Sequence, residues 1–232
     1  MKSSVRHFSA ALVITLSLFT TSALAGPPLL CHTLDIGNAK SLPWISHDWN
    51  LTGSESYDTK NLPADTIAIL DSDPTILVHM ETLRRATLYA QKDSIAAKQL
   101  LLKLIARSDA VGKNSLVASL ATFDAGYFAE TLTQAQWLFK NFGNLVQGLD
   151  GYALVKKALQ LRANDPQMEF AAALITLSSP AASHQDHEQK AIAGAKSDPL
   201  LARNLSARFR GPQTEIMADM ISRTPTAKVA QQ

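Results

Sequence analysis

Apolar residues recur at spacings of three and four along most of the chain after Pro63, in segments rich in Ala, Leu, Gln, Lys and Arg. These residue types favour helices, and this spacing places the apolar side chains on one face of each helix. The chain is 46% hydrophobic and only 18% charged, which supplies material for a core and excludes general disorder. The sequence therefore predicts an all-α domain over residues 64–210.

Aspartate residues mark the starts of several predicted helices. Asp73, Asp165 and Asp198 are each followed by proline, a pair in which aspartate accepts backbone N–H groups and proline takes the first helical position. Asp93 or Ser94 opens another helix. The predicted helices cover residues 65–70, 74–91, 94–107, 114–141, 151–163, 166–177, 185–196 and 199–209, with a weak helix over 214–222 in the C-terminal tail, residues 211–232.

The helical pattern also predicts which side chains face the core. Gly126 would kink the longest helix, and the glycines at positions 143, 148 and 151 indicate a hinge within residues 143–151. The residues predicted to point inward are Leu77, Met80, Leu83 and Leu88 in the second helix, Ile95, Leu101, Leu102 and Ile105 in the third, and Leu116, Leu120, Phe123, Tyr127 and Phe128 in the fourth.

The C-terminal half contains a sequence repeat whose length is close to that of one helix pair. Asp165-Pro166 and Asp198-Pro199 lie 33 residues apart with two helical segments between them, which favours stacked antiparallel helix pairs, an α-solenoid. Ala158-Leu159-Gln160-Leu161 before Asn164-Asp165-Pro166, and Ala191 to Ala195 before Asp198-Pro199, resemble the junctions of tetratricopeptide repeats. The resemblance covers roughly residues 151–205 and implies a TPR-like stack. Residues 30–40 and 80–86 are also similar to strings in uncharacterised secreted bacterial proteins, which implies no activity.

The first 25 residues have the three-part layout of a secretory signal peptide. Lys2 and Arg6 precede an apolar run from Ala10 to Phe19, and Ala23-Leu24-Ala25 matches a cleavage site. The apolar run is shorter than a bilayer core requires. We therefore expect cleavage near Ala25 and a mature protein that is secreted or periplasmic and has no transmembrane segment.

Removal of this signal would also remove Lys2 and Arg6, so the 22 basic residues of the full chain would fall to 20, against 20 acidic residues. A net charge near zero argues against a basic protein that binds nucleic acid. Cys31 is the only cysteine, so an intramolecular disulfide is impossible. Burial near the start of the fold is the favoured interpretation of Cys31; an intermolecular disulfide and a reactive thiol are the alternatives.

Residues 26–63 show no sustained helical period and predict an irregular N-terminal arm. We expect Leu29, Leu30, Trp44 and Trp49 to pin this arm to the helical body. An alternative is that the arm reaches into a neighbouring subunit, with the two tryptophans as anchors. The sequence leaves the oligomeric state open.

Two groups of residues have the types that bind metal ions. His184, His187 and Glu188 would share one face of a helix, although Ser183 with Asp186 is also typical of a capping box at a solvated helix start. In the arm, several side chains could converge on copper or zinc. These are Cys31, His32, Asp35, His47 and Asp48. Neither pattern is complete enough to assign a metal ligand or a cofactor.

No motif for catalysis is present: the sequence lacks a Gly-x-Ser-x-Gly elbow, a phosphate-binding glycine loop and a His-Glu-x-x-His pair. Paired carboxylates of the glycosidase kind stay open as an alternative, with Asp124 and Glu130 of the long helix as the candidates. The favoured interpretation is a structural ion pair of either residue with Arg84 or Arg85. We expect an exported, non-enzymatic helical-repeat scaffold that binds a protein or peptide by shape and apolar contact. The alternative is a metal-binding protein or an enzyme that uses the Cys and His groups of the arm.

Overall fold

The computed structural model describes residues 26–45, 51, 53–112, 116–142, 144–178 and 181–209. Within these residues the protein forms eight α-helices and no strand, so the predicted all-α class is confirmed. The helices are α1 (Leu62–Ser72), α2 (Ile76–Ala90), α3 (Ser94–Ala110), α4 (Leu116–Leu138), α5 (Gly151–Leu161), α6 (Pro166–Ile175), α7 (Ala181–Ala195) and α8 (Pro199–Arg208). In the ranges described, no helix combines the length and the hydropathy needed to cross a bilayer.

The even-numbered helices form the centre of the molecule. Helices α2, α4 and α6 contact one another, and α8 packs against α6. Each odd-numbered helix packs against its neighbours in sequence, and the most extensive contacts join α4 to α5 and α6 to α7. Every residue of α2 except Arg85 is buried. Helix α2 is therefore enclosed on nearly all sides, as expected for a helix at the middle of a packed bundle.

The predicted aspartate caps explain the starts of α3, α6 and α8. Asp93, Asp165 and Asp198 each accept two backbone N–H groups from the first turn of α3, α6 and α8 respectively. Pro166 and Pro199 occupy the first helical positions, where the missing N–H leaves no bond unmade. The predicted starts of these three helices are confirmed.

The prediction that Asp73-Pro74 opens the second helix is wrong. Helix α2 begins at Ile76, because the backbone N–H of Asp73 closes the last turn of α1 and its side chain accepts the N–H of Thr75 at 2.8 Å. The predicted start of the first helix at Asp65 is also wrong, because Asp65 lies inside the first turn of α1, which begins at Leu62.

The predicted core is confirmed for α2, where Leu77, Met80, Leu83 and Leu88 are fully buried, and for the three predicted aromatic residues of α4, which are Phe123, Tyr127 and Phe128. It is wrong at three positions: Ile95 is 70% exposed, Leu102 is 56% exposed and Leu116 is 52% exposed. Helix α3 turns a different face to the core, with its buried positions at Ala96, Ala97, Leu100, Leu101 and Leu104.

Helices α4 and α5 approach each other most closely at Gly126 and Gly151. A Cβ atom added to Gly126 would lie 2.6 Å from the carbonyl oxygen of Gly151, and the reverse substitution meets the oxygen of Gly126 at the same distance. Helix α4 runs through Gly126 without a break. This glycine therefore permits backbone contact between two helices. The hinge over residues 143–151 stays a prediction, and Gly143 lies outside the described residues.

The first described segment, residues 26–45, contains no helix and lies against the helical body. Leu29, Leu30, Leu34 and Leu42 are buried in the core. Trp44 packs against the same core while remaining partly exposed, and Trp49 is outside the described residues.

Side chains of the helices form hydrogen bonds with the backbone of residues 26–45. This segment contains no helix or strand in which its backbone groups would pair with one another. Gln134 of α4 accepts the N–H of Leu29 at 2.9 Å, and Asn204 of α8 bonds both backbone groups of Asp35. Arg208 donates to the carbonyl oxygens of residues 28 and 32. Because unpaired backbone groups are costly to bury, these side chains make burial of an irregular segment favourable.

Candidate functional site

A buried ionic cluster on α2 fixes the middle of residues 26–45. Glu81 accepts two N–H groups of Arg84 at 2.7 and 2.8 Å, one from Arg85 at 2.7 Å and the backbone N–H of Leu34 at 3.0 Å. Burial acts to raise the pKa of Glu81, but the hydrogen bonds and charges of the two arginines hold that pKa below its usual value. Arg84 and Arg85 also lie over the ring of Trp44. The cluster is saturated and structural.

The expectation that Arg84 or Arg85 pairs with Asp124 is wrong. Asp124 instead accepts from His79 Nδ1 at 2.5 Å, and His79 Nε2 donates to the carbonyl oxygen of Asp73 at 2.6 Å. Both partners are acceptors, so the ring carries both protons and is cationic. Burial acts to lower the pKa of His79, but the Asp124 carboxylate and the Asp73 carbonyl raise that pKa above its usual value.

Glu130 also has a partner other than arginine. Its carboxylate accepts the backbone N–H of Tyr152 at 2.8 Å, at the start of α5. Burial raises the pKa of Glu130, and the nearby charge of Asp150 acts in the same direction. The predicted ion pairs of both acidic residues of α4 are thus replaced by a histidine and a helix N-terminus.

The histidines of α7 do not act together. His184 Nδ1 donates to the carbonyl oxygen of Ala173 at 2.9 Å, whereas His187 points to Glu169 and Tyr152. Helix α7 begins at Ala181, before the predicted start, so the capping-box interpretation of Ser183 and Asp186 is wrong. Across the described parts of the chain, no group of three or more His, Cys, Asp or Glu side chains is placed to hold a metal ion.

His187 belongs to a chain of three side chains from three helices. Its Nδ1 atom lies 2.5 Å from Glu169 Oε2 on α6, and its Nε2 atom lies 2.8 Å from the hydroxyl of Tyr152 on α5. His187 and Glu169 are buried, whereas Tyr152 is partly exposed. Sequence reasoning missed this arrangement. Its one sequence signal is Glu169, the only charged residue of α6.

The arm residues proposed as metal ligands have other surroundings. Asp35 bonds Arg203 at 2.7 Å and the side chain of Asn204. Burial raises the pKa of the Cys31 thiol and lowers the pKa of His32, and the nearby arginines lower both. Residues 47 and 48, the remaining two proposed ligands, lie outside the described residues. Cys31 is free and partly exposed, so the prediction that it is buried holds only in part.

An exposed apolar surface lies at the junction of α3 and the end of α4. Trp137 is 73% exposed, and Ile95 and Leu138 are exposed as well. An open depression of about 290 Å³ is lined by Ser94, which precedes Ile95, and by Lys98, Phe142, Asn144 and Leu145. We call Ile95, Trp137, Leu138 and this depression the Trp137 surface.

The antiparallel pairing of α3 and α4 brings these residues together. The hydroxyl of Ser108 donates to that of Thr122 at 3.1 Å, which sets the register of the two helices. At 1.5 Å per residue, Ile95 lies about 20 Å from this point along α3 and Trp137 about 22 Å along α4, in the same direction. The two large exposed side chains therefore occupy the same end of the helix pair.

Lysines flank the Trp137 surface. Lys92 and Lys98 lie one turn on either side of Ile95, and Lys140 follows Trp137 by three residues; all three side chains are exposed. Asp93 stands among them, but its carboxylate is occupied by two backbone N–H groups of α3 and by the hydroxyl of Thr59. The surface thus combines exposed apolar groups with positive charge.

Comparison with known proteins found no family model, no curated protein and no solved structure that matches this chain. The functional conclusion therefore depends on the geometry of the molecule itself.

Proposed function

We propose that this protein is an exported, non-enzymatic scaffold of stacked helix pairs that binds a protein partner at the Trp137 surface. The observation that carries the proposal is the exposure of Trp137 at the end of the α3–α4 pair where Ile95 is also exposed. Tryptophan is enriched among the residues that dominate binding energy, and a large exposed apolar patch is uncommon on a surface without a partner.

The partner segment is defined by the chemistry of the surface. The exposed side chains of Ile95, Trp137 and Leu138 favour an aliphatic or aromatic group on the partner, and Lys92, Lys98 and Lys140 favour carboxylates on either side of that group. We therefore propose a peptide segment with one large apolar residue and flanking Asp or Glu. A concave depression suits an inserted side chain better than it suits the flat surface of a membrane.

The repeat arrangement has separate support. Gln167, in the first turn of α6, donates to Asp198 at 2.6 Å, so the two helix starts that lie 33 residues apart in sequence are also close in space. Gly194 faces Pro166, where a Cβ atom would lie 2.1 Å from the proline ring. Contacts between successive helix pairs support the proposed stack, since each repeat of such a stack packs against its neighbour. Export is supported by the signal-like residues 1–25.

Selection from a displayed library of random peptides tests the proposal. The purified protein should enrich peptides with a central Trp, Phe or Leu and flanking acidic residues. Trp137→Ala should weaken binding of an enriched peptide at least about tenfold, a typical loss for an interface tryptophan. Val117→Ala is the matched control, since Val117 is also exposed on α4 but near its other end, and it should leave the affinity unchanged.

Two outcomes would contradict the proposal. One is an enriched peptide whose affinity is the same for the Trp137→Ala variant and the unaltered protein. The other is the absence of any enriched peptide together with Trp137-dependent binding to vesicles of phosphatidylglycerol, which would make the surface a membrane contact instead.

A further inference from the structure

The chemistry proposed for the partner, large apolar side chains beside carboxylates, also occurs within the chain itself. Residues 215–221 are Glu-Ile-Met-Ala-Asp-Met-Ile, so four large apolar side chains are accompanied by two acids. This stretch follows Phe209, the last residue that the structure describes. Glu215 and Asp219 are the only acidic residues of the sequence after Phe209. The acidic and the large apolar groups of this part of the chain are therefore concentrated in one short segment.

A helix would place the apolar side chains of this segment on one face. The sequence predicts a weak helix over residues 214–222, which lie outside the described residues and which we call the tail segment. At about 3.6 residues per turn, Ile216 and Met220 fall one above the other, and so do Met217 and Ile221 beside them. The two acids are also four residues apart and border this face on one side. Such a face is the usual ligand in recognition of a helix by a groove.

The described residues end close to the turn of α4 that carries Trp137. Arg208, the last residue of α8, donates to the carbonyl oxygen of Pro28 at 3.3 Å. The N–H of the same peptide bond belongs to Leu29, and it donates to Gln134 of α4 at 2.9 Å. Gln134 precedes Trp137 by less than one helical turn. The end of α8 and the Trp137 end of α4 thus bond to one peptide group.

The chain after α8 is long enough to reach the Trp137 surface. Only two side chains and one peptide bond separate the backbones of Arg208 and Gln134, so those backbones lie at most about 20 Å apart. The distance from Phe209 to Trp137 is then at most about 30 Å. Extended chain from Phe209 to Thr214 covers about 17 Å, and a helix over the tail segment covers about 12 Å more. The tail segment can therefore contact the Trp137 surface of its own chain.

The charges of the tail segment and of the Trp137 surface are complementary. Lys92, Lys98 and Lys140 are exposed around that surface, and Glu215 and Asp219 supply two carboxylates. Exposed ion pairs contribute little affinity by themselves, so the lysines mainly orient the segment and discriminate against basic sequences. Burial of apolar side chains supplies most of the affinity.

We propose that the tail segment binds to the Trp137 surface of the same chain and competes there with the protein partner. This inference rests on the proposed function, because it assigns an internal ligand to the same surface. A linked ligand has an effective concentration on the order of 1 mM, so a contact with a dissociation constant of about 0.1 mM occupies the surface in roughly nine molecules of ten. A partner then binds about tenfold more weakly than it would bind to an open surface.

Full-length variants and a synthetic peptide of residues 212–224 test the proposal. The peptide carries a fluorophore, and anisotropy reports its binding. In the tail variant, Ile216→Ser with Met220→Ser, the peptide should bind about tenfold more tightly than to the unaltered protein, because the chain's own segment no longer competes. Val229→Ser is the matched control, since Val229 is apolar and follows the same helix but has no acidic neighbour, and it should leave the affinity unchanged.

Two further peptide measurements locate the contact. Adding Trp137→Ala to the tail variant should abolish the tenfold gain. Replacing both acids of the peptide with lysine should weaken its binding to the tail variant. The proposal would be overturned by equal affinity of the peptide for the unaltered protein and the tail variant, or by failure of the peptide to bind either protein.

The library peptides separate this inference from the proposed function. If they bind in a Trp137-dependent way but with one affinity for the unaltered protein and the tail variant, the surface is a binding site and the tail segment is not its ligand. If they bind neither protein through Trp137, the proposed function is contradicted, while the peptide of residues 212–224 still decides about the tail segment.

Sedimentation velocity distinguishes the same chain from a second copy. The unaltered protein and the tail variant should both sediment as monomers at the concentrations used for binding. A dimer of the unaltered protein that the tail variant does not form would assign the surface to the tail segment of a second copy, and would overturn binding within one chain.

Discussion

At the scale of single residues, long-range polar pairs hold the centre of the molecule together. His79 and Asp124 are separated by 45 positions in sequence, and Glu169 and His187 by 18. No spacing rule connects such residues, because their proximity is set by how the helices pack. The sequence therefore predicted an ion pair for Asp124 but assigned it an arginine partner, whereas its partner is His79.

Asp124→Asn should destabilise the protein by about 3 kcal/mol or more, because it leaves the buried His79 cation without its counterion. Asp71→Asn removes the exposed partner of Arg107 and should cost less than about 1 kcal/mol. Urea unfolding of the two variants measures the difference. Equal losses would show that burial of the pair does not matter.

The same pair predicts the pH dependence of stability. The folded protein raises the pKa of His79, so the pair contributes fully at pH values below the unfolded value of about 6.5 and is lost as the pH rises through the folded value. The stability gap between the unaltered protein and Asp124→Asn should therefore shrink as the pH is raised from 6 to 9. A gap that grows would have the opposite sign and would contradict a cationic His79.

At the scale of helices, short sequence signals predicted those helix starts that are determined by a cap within the first turn. The Asp-Pro pairs at 165 and 198 predicted α6 and α8 correctly because the cap and the proline act within one turn. The prediction of a helix start at Asp73-Pro74 was wrong because Asp73 is the residue that caps the end of α1. Likewise, Ile95 and Leu102 fit a helical face in sequence, but only the packing of α3 decides which of its faces is buried.

Gly126→Ala tests the close approach of α4 and α5. An added Cβ would meet the backbone of Gly151, which cannot move as a side-chain tip can, so we expect a net loss of about 1–3 kcal/mol even though alanine favours helix. Gly112→Ala, where no atom lies within 4 Å of the added Cβ, is the control and should change stability by less than about 1 kcal/mol. Denaturant midpoints and slopes provide the comparison. A neutral Gly126→Ala would mean that the helices separate freely.

At the scale of the whole molecule, residues 26–45 connect helices from the first half, the middle and the end of the chain. The segment contacts α2 through Glu81, α4 through Gln134 and α8 through Asn204 and Arg208. The sequence indicated that this part is irregular and carries buried leucines. It could not show which helix side chains would bond its backbone.

Arg208→Ala should release this segment. Burial lowers the pKa of Arg208 to about 10, which leaves it charged at neutral pH and able to bond the backbone of residues 28 and 32. We expect a loss of about 2–3 kcal/mol and faster proteolysis within residues 26–45. Arg203→Ala, which removes only the exposed contact to Asp35, should cost less than about 1 kcal/mol. Proteolysis at equal rates in both variants would contradict this role of α8.

The overall charge of the chain and the charge of the Trp137 surface lead to different expectations. A nearly neutral molecule offers little long-range attraction, and the sequence accordingly favoured recognition by shape and apolar contact. In the structure, the exposed apolar side chains of the Trp137 surface are accompanied by three exposed lysines. Binding should therefore combine one inserted apolar side chain with short-range carboxylate contacts.

Hydrogen exchange of the protein with and without an enriched acidic peptide tests whether the Trp137 surface is the binding site, because it reports where the peptide binds. Slower exchange should be confined to residues 92–98 and 137–142, around Ile95 and Trp137. Slower exchange elsewhere, for example in residues 26–45 or in α5 to α8, with no change around Trp137, would contradict the account.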